Sequence, residues 1–240
     1  MPGTVDLVIA GLITIAYPIW DYFVLWPRML RTITSGRPNG RILAYCEVLA
    51  VLWIITAVIA AVWIRAARPW RPIGLVLPVG WRLVLTVALL VSVLILFRAQ
   101  LHAIRRLDPA KRDRVRTRAA AVSPLVPRTR VERAWFVPVA ISAGLCEEFM
   151  YRGFLLWAFR PWLGLWGAAL ASTVTFGFAH AYQGRSGAIR AGVIGAVFAI
   201  LAVVMGSIVP GILLHALLDL ISSEASYAIF AEDATSPAAA

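Results

Sequence analysis

The stretch Cys146-Glu147-Glu148-Phe149-Met150-Tyr151-Arg152-Gly153-Phe154 lies inside a segment that is otherwise apolar from Ala134 to Phe159. A charged side chain at the centre of a bilayer costs ~2.5–3.5 kcal/mol on insertion scales, so two carboxylates and a guanidinium here require partners and a reason. At helical pitch Glu148 and Arg152 stand four residues apart and share a face, which favours an internal ion pair. Glu147 is rotated by roughly 100° from Glu148 and is left for other work. The segment thus reads as a membrane-spanning helix whose polar groups point inward, and the rest of the chain must be helical to surround it.

Composition agrees. Of the 240 residues 61% are hydrophobic and mean hydropathy is +0.81, against about 45–50% apolar in soluble domains. The expected fold is all-α, a polytopic transmembrane bundle of about seven to eight helices. Net charge is +11, and Lys111 is the only lysine. The arginines flank apolar runs, so they read as orientation signals and as contacts to anionic headgroups, with no nucleic-acid partner. Cys46 and Cys146 both fall in predicted spans, lack a zinc or disulfide pattern, and read as small core residues.

The predicted spans are Leu7–Trp26, Ile42–Ile64, Trp81–Phe97, Ala134–Phe159, Leu163–Ala181, Ala188–Met205 and a short Ile208–Ile221. No basic region precedes the first, which therefore reads as a retained span. Tyr17, Trp20, Tyr22 and Trp26 suit the interface at its end, where Asp21 would reach the headgroups. Glu47 is expected to pair with an arginine. The segment from Arg65 to Pro78, broken by three prolines and carrying Trp70, suits the membrane surface. The arginine-rich stretch from Arg98 to Arg133 is expected to be cytoplasmic by the positive-inside rule, which puts the N-terminus outside and the C-terminus in the cytoplasm. The chain divides into N-terminal helices and basic loop (1–133), a helical core that carries the chemistry (134–225) and a small, acidic, Ala-rich tail (226–240) read as disordered.

Two later pairs complete the polar inventory of the core. Phe176 and His180 are four residues apart, as are His215 and Asp219. A buried carboxylate and a histidine can activate water for attack on a carbonyl, and Glu147 with His180 is the natural pair. His215, oriented by Asp219, could stabilise the resulting oxyanion. A metal reading uses the same residues, because two histidines and a glutamate match the ligand set of a hydrolytic site for zinc or a similar divalent ion. No His-Glu-x-x-His helix accompanies them, and the ligands come from three separate spans. Ser172 and Thr173 lack a nucleophile motif and read as helix-packing residues.

Glu147-Glu148-x-x-x-Arg152-Gly153, then Phe176-x-x-x-His180, then His215-x-x-x-Asp219 resembles, in order and spacing, the CPBP or Abi family of intramembrane proteases related to type II CAAX prenyl endopeptidases. The resemblance covers roughly residues 134–222. It implies that Glu147 and His180 act on the attacking water, that Glu148 and Arg152 support them, and that His215 and the residue at 219 form the oxyanion site. Eukaryotic members carry Asn at the last place; an ionised Asp219 would repel an oxyanion, so here it must be protonated, orient His215 or hold a cation. The implied substrate is a peptide or membrane protein, and the implied location is the bacterial plasma membrane. Two other classes are open to the same residues: a non-catalytic immunity or scaffolding protein that retains the fold, and an ion-coupled transporter that uses the buried carboxylates.

Overall fold

A computed structural model of the protein describes residues 1–118 and 123–230. The described residues contain no strand. We number the helices α1 (Thr4–Thr34), α2 (Gly40–Arg65), α3 (Trp81–Arg105), α4 (Pro109–Arg118), α5 (Arg130–Glu147), α6 (Leu156–Ala179), α7 (Gly184–Met205) and α8 (Val209–Phe230), with a π-helical segment, Glu148–Leu155, joining α5 to α6. Among the described residues six helical stretches are long and apolar enough to cross a membrane. The longest, Arg130–Ala179, breaks at Gly164, whose φ of 66° belongs to the left-handed region. Beyond it the chain turns back. Tyr151 and Phe176 have ring centroids 5.1 Å apart, whereas a straight helix would separate them by about 37 Å. The stretch is therefore two antiparallel limbs, and the all-α transmembrane bundle stands as expected.

The buried core gathers Ile59 and Trp63 of α2, Ile73, Tyr151 and Phe154 of the π segment, Phe176 and Ile208. Large apolar side chains such as Phe23, Ile54, Val84, Leu96 and Phe178 point outward. That inverts the rule for soluble proteins and is what lipid as solvent demands. At one end of the bundle Asp6 takes two bonds of 2.7 Å from Arg68 and a third of 2.7 Å from the Gly3 amide. At the other end Arg41 donates to the Pro124 carbonyl at 2.9 Å, Tyr45 donates to that of Leu125 at 2.7 Å, and Arg133 meets Glu224 at 3.2 Å. Glu47 pairs with Arg28 at 3.1 Å, as expected.

Several local expectations are corrected. Helix α1 runs on to Thr34, so Asp21 sits mid-helix and is buried, with 6% of its surface exposed. Two π turns, Leu12–Ala16 and Asp21–Leu25, lie just ahead of Pro18 and Pro27. Each proline lacks a donor and crowds the carbonyl four residues back, and widening the helix is how it continues. The segment after α2 also packs inward as a plug: Trp70 stacks with Trp63 at 6.2 Å, the Gly74 carbonyl accepts from Ile208 at 2.9 Å, and Ile73 is buried, while Leu77 and Val79 stay exposed. Cys46 is exposed, while Cys146 is buried. Helix α8 continues to Phe230 because Ala225 and Ile229 pack against Ile104 of α3; positions 231–240 of the tail lie outside the described residues.

Candidate functional site

The site begins where α5 passes into the π segment. Glu148 Oε1 accepts from Arg152 at 2.9 Å, and His215 Nδ1 lies 3.0 Å from the same oxygen. A carboxylate only accepts, so Nδ1 carries the proton of that bond. Arg152 also donates to the Gly195 carbonyl of α7 at 3.0 Å, and its guanidinium lies 4.2 Å from the centre of the Phe176 ring. The spacing read from sequence did bring Glu148 and Arg152 together, with both side chains fully buried. Gly195 is needed there: a Cβ would stand 2.9 Å from the Phe176 ring and 3.0 Å from Arg152. No proline accounts for this π segment, unlike those of α1, and π turns recur at functional sites.

His215, on α8, is held between rings. Phe198 stacks on it at 5.3 Å and Phe176 meets it edge-on at 6.1 Å. Its Nε2 lies 3.8 Å from Glu147 Oε2 and 3.8 Å from Asp219 Oδ2, within ion-pair range but beyond a hydrogen bond. Asp219 shares the face of His215, yet the hydrogen bond of that ring goes to Glu148. Helix contact explains the difference. Position 144 bears no side chain, and a Cβ there would come within 2.6 Å of the Ala216 amide, so α5 and α8 touch and His215 is pressed onto the π segment.

Glu147 meets His215 rather than His180 at ion-pair distance. His180 closes α6, donating from Nδ1 to the Phe176 carbonyl at 2.8 Å, which leaves Nε2 of the neutral ring as an acceptor. Its ring lies 4.4 Å from that of Phe176, so Phe176 touches both imidazoles. Three buried polar atoms here make no hydrogen bond: Glu147 Oε2, Glu148 Oε2 and Arg152 Nε. Ser172 donates to the Tyr151 carbonyl at 2.7 Å, the packing role expected of it.

Residues not singled out from sequence as part of the site lie beside it: the Tyr182 ring stacks on that of His180 at 6.1 Å, and Tyr17 packs against the core with the buried Asp21 four residues on along α1. The signal was present, since Asp21 is an acid inside an apolar run, but placing the helix end at Trp26 sent it to the interface. Among the described residues no group of three His, Cys, Asp or Glu side chains is arranged to hold a metal ion. A separate apolar cavity of about 980 Å³ lies between α1, α6 and α7, walled by Thr14, Pro18, Phe23, Thr175, Gly177 and Gly192.

Residues 130–221 match the family described as type II CAAX prenyl endopeptidase Rce1-like. No curated protein and no solved structure matches the chain.

Proposed function

We propose that the chain, whose residues 130–221 match the type II CAAX prenyl endopeptidase Rce1-like family, is an intramembrane endopeptidase that hydrolyses a peptide bond through a water activated by Glu147 and His180. The observation that carries the reading is the unequal state of the two adjacent acids. Glu148 is held by Arg152 and His215, whereas Glu147 Oε2 is buried and makes no hydrogen bond. An acid left without a fixed partner beside an imidazole suits a general base, and general-base catalysis contributes typically ~10²–10⁴-fold.

In this reading a water lies between Glu147 and His180 Nε2. Glu147 takes its proton as the oxygen attacks the carbonyl carbon, and the same proton passes to the departing amine. His215, carrying a proton on both ring nitrogens, keeps Nδ1–H on Glu148 and donates Nε2–H to the oxyanion, and Phe176 lies against both imidazoles. Asp219, 3.8 Å from Nε2, orients that ring. In this reading Glu147 and His180 alone activate the water, with no step routed through a metal. The apolar cavity beside α1 suits a substrate presented from the lipid phase. The basic end, with Arg41 and Arg133, is taken as cytoplasmic, which puts the end of α8 there too, and a bacterial plasma membrane with anionic lipids suits it.

The test is cleavage of a membrane-peptide library by the purified protein in liposomes, with products identified by mass spectrometry. Glu147→Gln should lower cleavage by at least about 10²-fold while the protein remains inserted, and a chelator should leave wild-type cleavage unchanged. Undiminished cleavage by Glu147→Gln overturns the mechanism. An inert wild type, with normal insertion, points instead to a scaffold.

A further inference from the structure

The apolar cavity between α1, α6 and α7 is separate from the imidazoles. On α6, Phe176 faces the two histidine rings, while Phe178 walls the cavity. Its volume of about 980 Å³ stands at the upper end of the range for ligand pockets, ~300–1,000 Å³. Ile19, Phe23, Phe178 and Ile189 of its wall are exposed, so it is a groove that opens sideways, onto hydrocarbon. Its threonine hydroxyls do not offer themselves to a ligand: Thr14 donates to the Ala10 carbonyl at 2.6 Å and Thr175 to that of Ala171 at 2.9 Å. Gly192 leaves space in the wall, since a Cβ there would meet only the Gly177 Cα, at 3.9 Å.

One end of the groove is charged. Arg185 is the one charged residue of the lining; it is exposed and engages no hydrogen bond or ion pair among the described residues. It stands in the first turn of α7, where no side chain caps the helix, so the dipole adds to its charge. Three residues earlier, the ring of Tyr182 lies 5.0 Å from that of Trp26, two residues before the Arg28 that pairs with Glu47. Arg185 therefore sits at the basic end of the bundle, at the level where headgroups meet a membrane helix.

We propose that this groove binds an anionic glycerophospholipid from the leaflet at the basic end, with an acyl chain lying along α1, α6 and α7 and the phosphate on Arg185. A long apolar wall with a single cation at its mouth is the complement of a hydrocarbon chain joined to an anion. A neutral apolar peptide would match the wall and leave the guanidinium without a partner. The site does not depend on the endopeptidase reading. A substrate entering by the same groove would have to displace the lipid.

The test is native mass spectrometry of the full chain, delipidated in a neutral detergent. It is titrated with phosphatidylglycerol and phosphatidylcholine of identical acyl chains, with glycerol phosphate, which has the anion and no chain, and with a neutral apolar helical peptide. For the first lipid bound, wild type should favour phosphatidylglycerol about fivefold. Arg185→Gln should lose most of that preference. Arg190→Gln should keep it, because Arg190 is exposed, lies outside the lining and donates to the Ser186 carbonyl. Gly192→Leu, which fills the groove, should weaken uptake of both lipids at an unchanged melting temperature. Equal binding of the two lipids by wild type overturns the proposal whatever the variants do, as does full preference in Arg185→Gln. Binding of glycerol phosphate as tight as that of phosphatidylglycerol would make this a phosphate site without a chain, and tighter binding of the peptide would make it a peptide site; either result also overturns it.

Discussion

Two buried acid and arginine pairs hold this molecule together, and they are built to opposite standards. At the Asp6 pair, both carboxylate oxygens are bonded at 2.7 Å and the Gly3 amide adds a third bond. Arg68 lies over Trp63 and Trp157, at 5.3 and 4.9 Å. At the Glu148 pair, one oxygen serves both Arg152 and His215, while Glu148 Oε2 and Arg152 Nε make no hydrogen bond. The saturated pair ties α1 to the plug after α2. The unsaturated one lies in the family-matched stretch and shares its oxygen with an imidazole, and such imperfect pairing is the condition of a site that must still bind something.

The contrast can be broken most sharply at the Glu148 pair. Arg152→Ala would strand a fully buried carboxylate, and breaking a buried pair typically costs ~3–5 kcal/mol. Cleavage and apparent melting temperature in detergent should fall together. Glu147→Gln should abolish cleavage while leaving the melting temperature nearly unchanged, since its oxygen holds no bond. Equal destabilisation by both variants would erase the distinction between fixed and unfixed acids.

Next in size is Arg68→Ala. One partner is partly exposed, at 22%, so the loss should be smaller, about 2–3 kcal/mol, and cleavage per folded molecule should be unchanged. The hydrogen bond to Asp6 holds the Arg68 guanidinium above its ordinary value. A group raised on folding contributes fully below its unfolded value and is lost only as pH rises through its folded one. The Arg68 contribution should therefore stay flat across about pH 6–10, well below the arginine range. Melting curves of wild type and Arg68→Ala over that window should run parallel, and a gap that closes inside it would contradict the assignment.

The two pairs also differed in how readily they could be seen in the chain. Glu148 and Arg152 are local, one helical turn apart, so periodicity was enough to join them, as it joined His215 with Asp219 on one face. Asp6 and Arg68 lie 62 residues apart, and only tertiary packing brings them together. The same limit hid the link between Glu148 and His215, which depends on the side-chain-free contact of α5 at Gly144 with α8. Spans were legible because hydropathy is local, but the end of α1 was not, since a proline that widens a helix into a π turn looks in sequence like one that stops it. Asp21 was misplaced for that reason alone.

A third pair sets the lower bound of the comparison. Arg28 and Glu47 meet at 3.1 Å, but the Arg28 side chain is 67% exposed. Holding a long side chain in one geometry costs entropy, solvent screens the attraction, and such pairs contribute ~0–1 kcal/mol. Arg28→Ala should therefore leave both melting temperature and cleavage within error of wild type. A double-mutant cycle with Glu47→Gln is the measurement, and a coupling of more than about 1 kcal/mol would show a dry environment around this end of α1. In that case exposure would be a poor guide to which of the bundle's ion pairs matter, and the division between saturated and unsaturated pairs would have to rest on bond count alone.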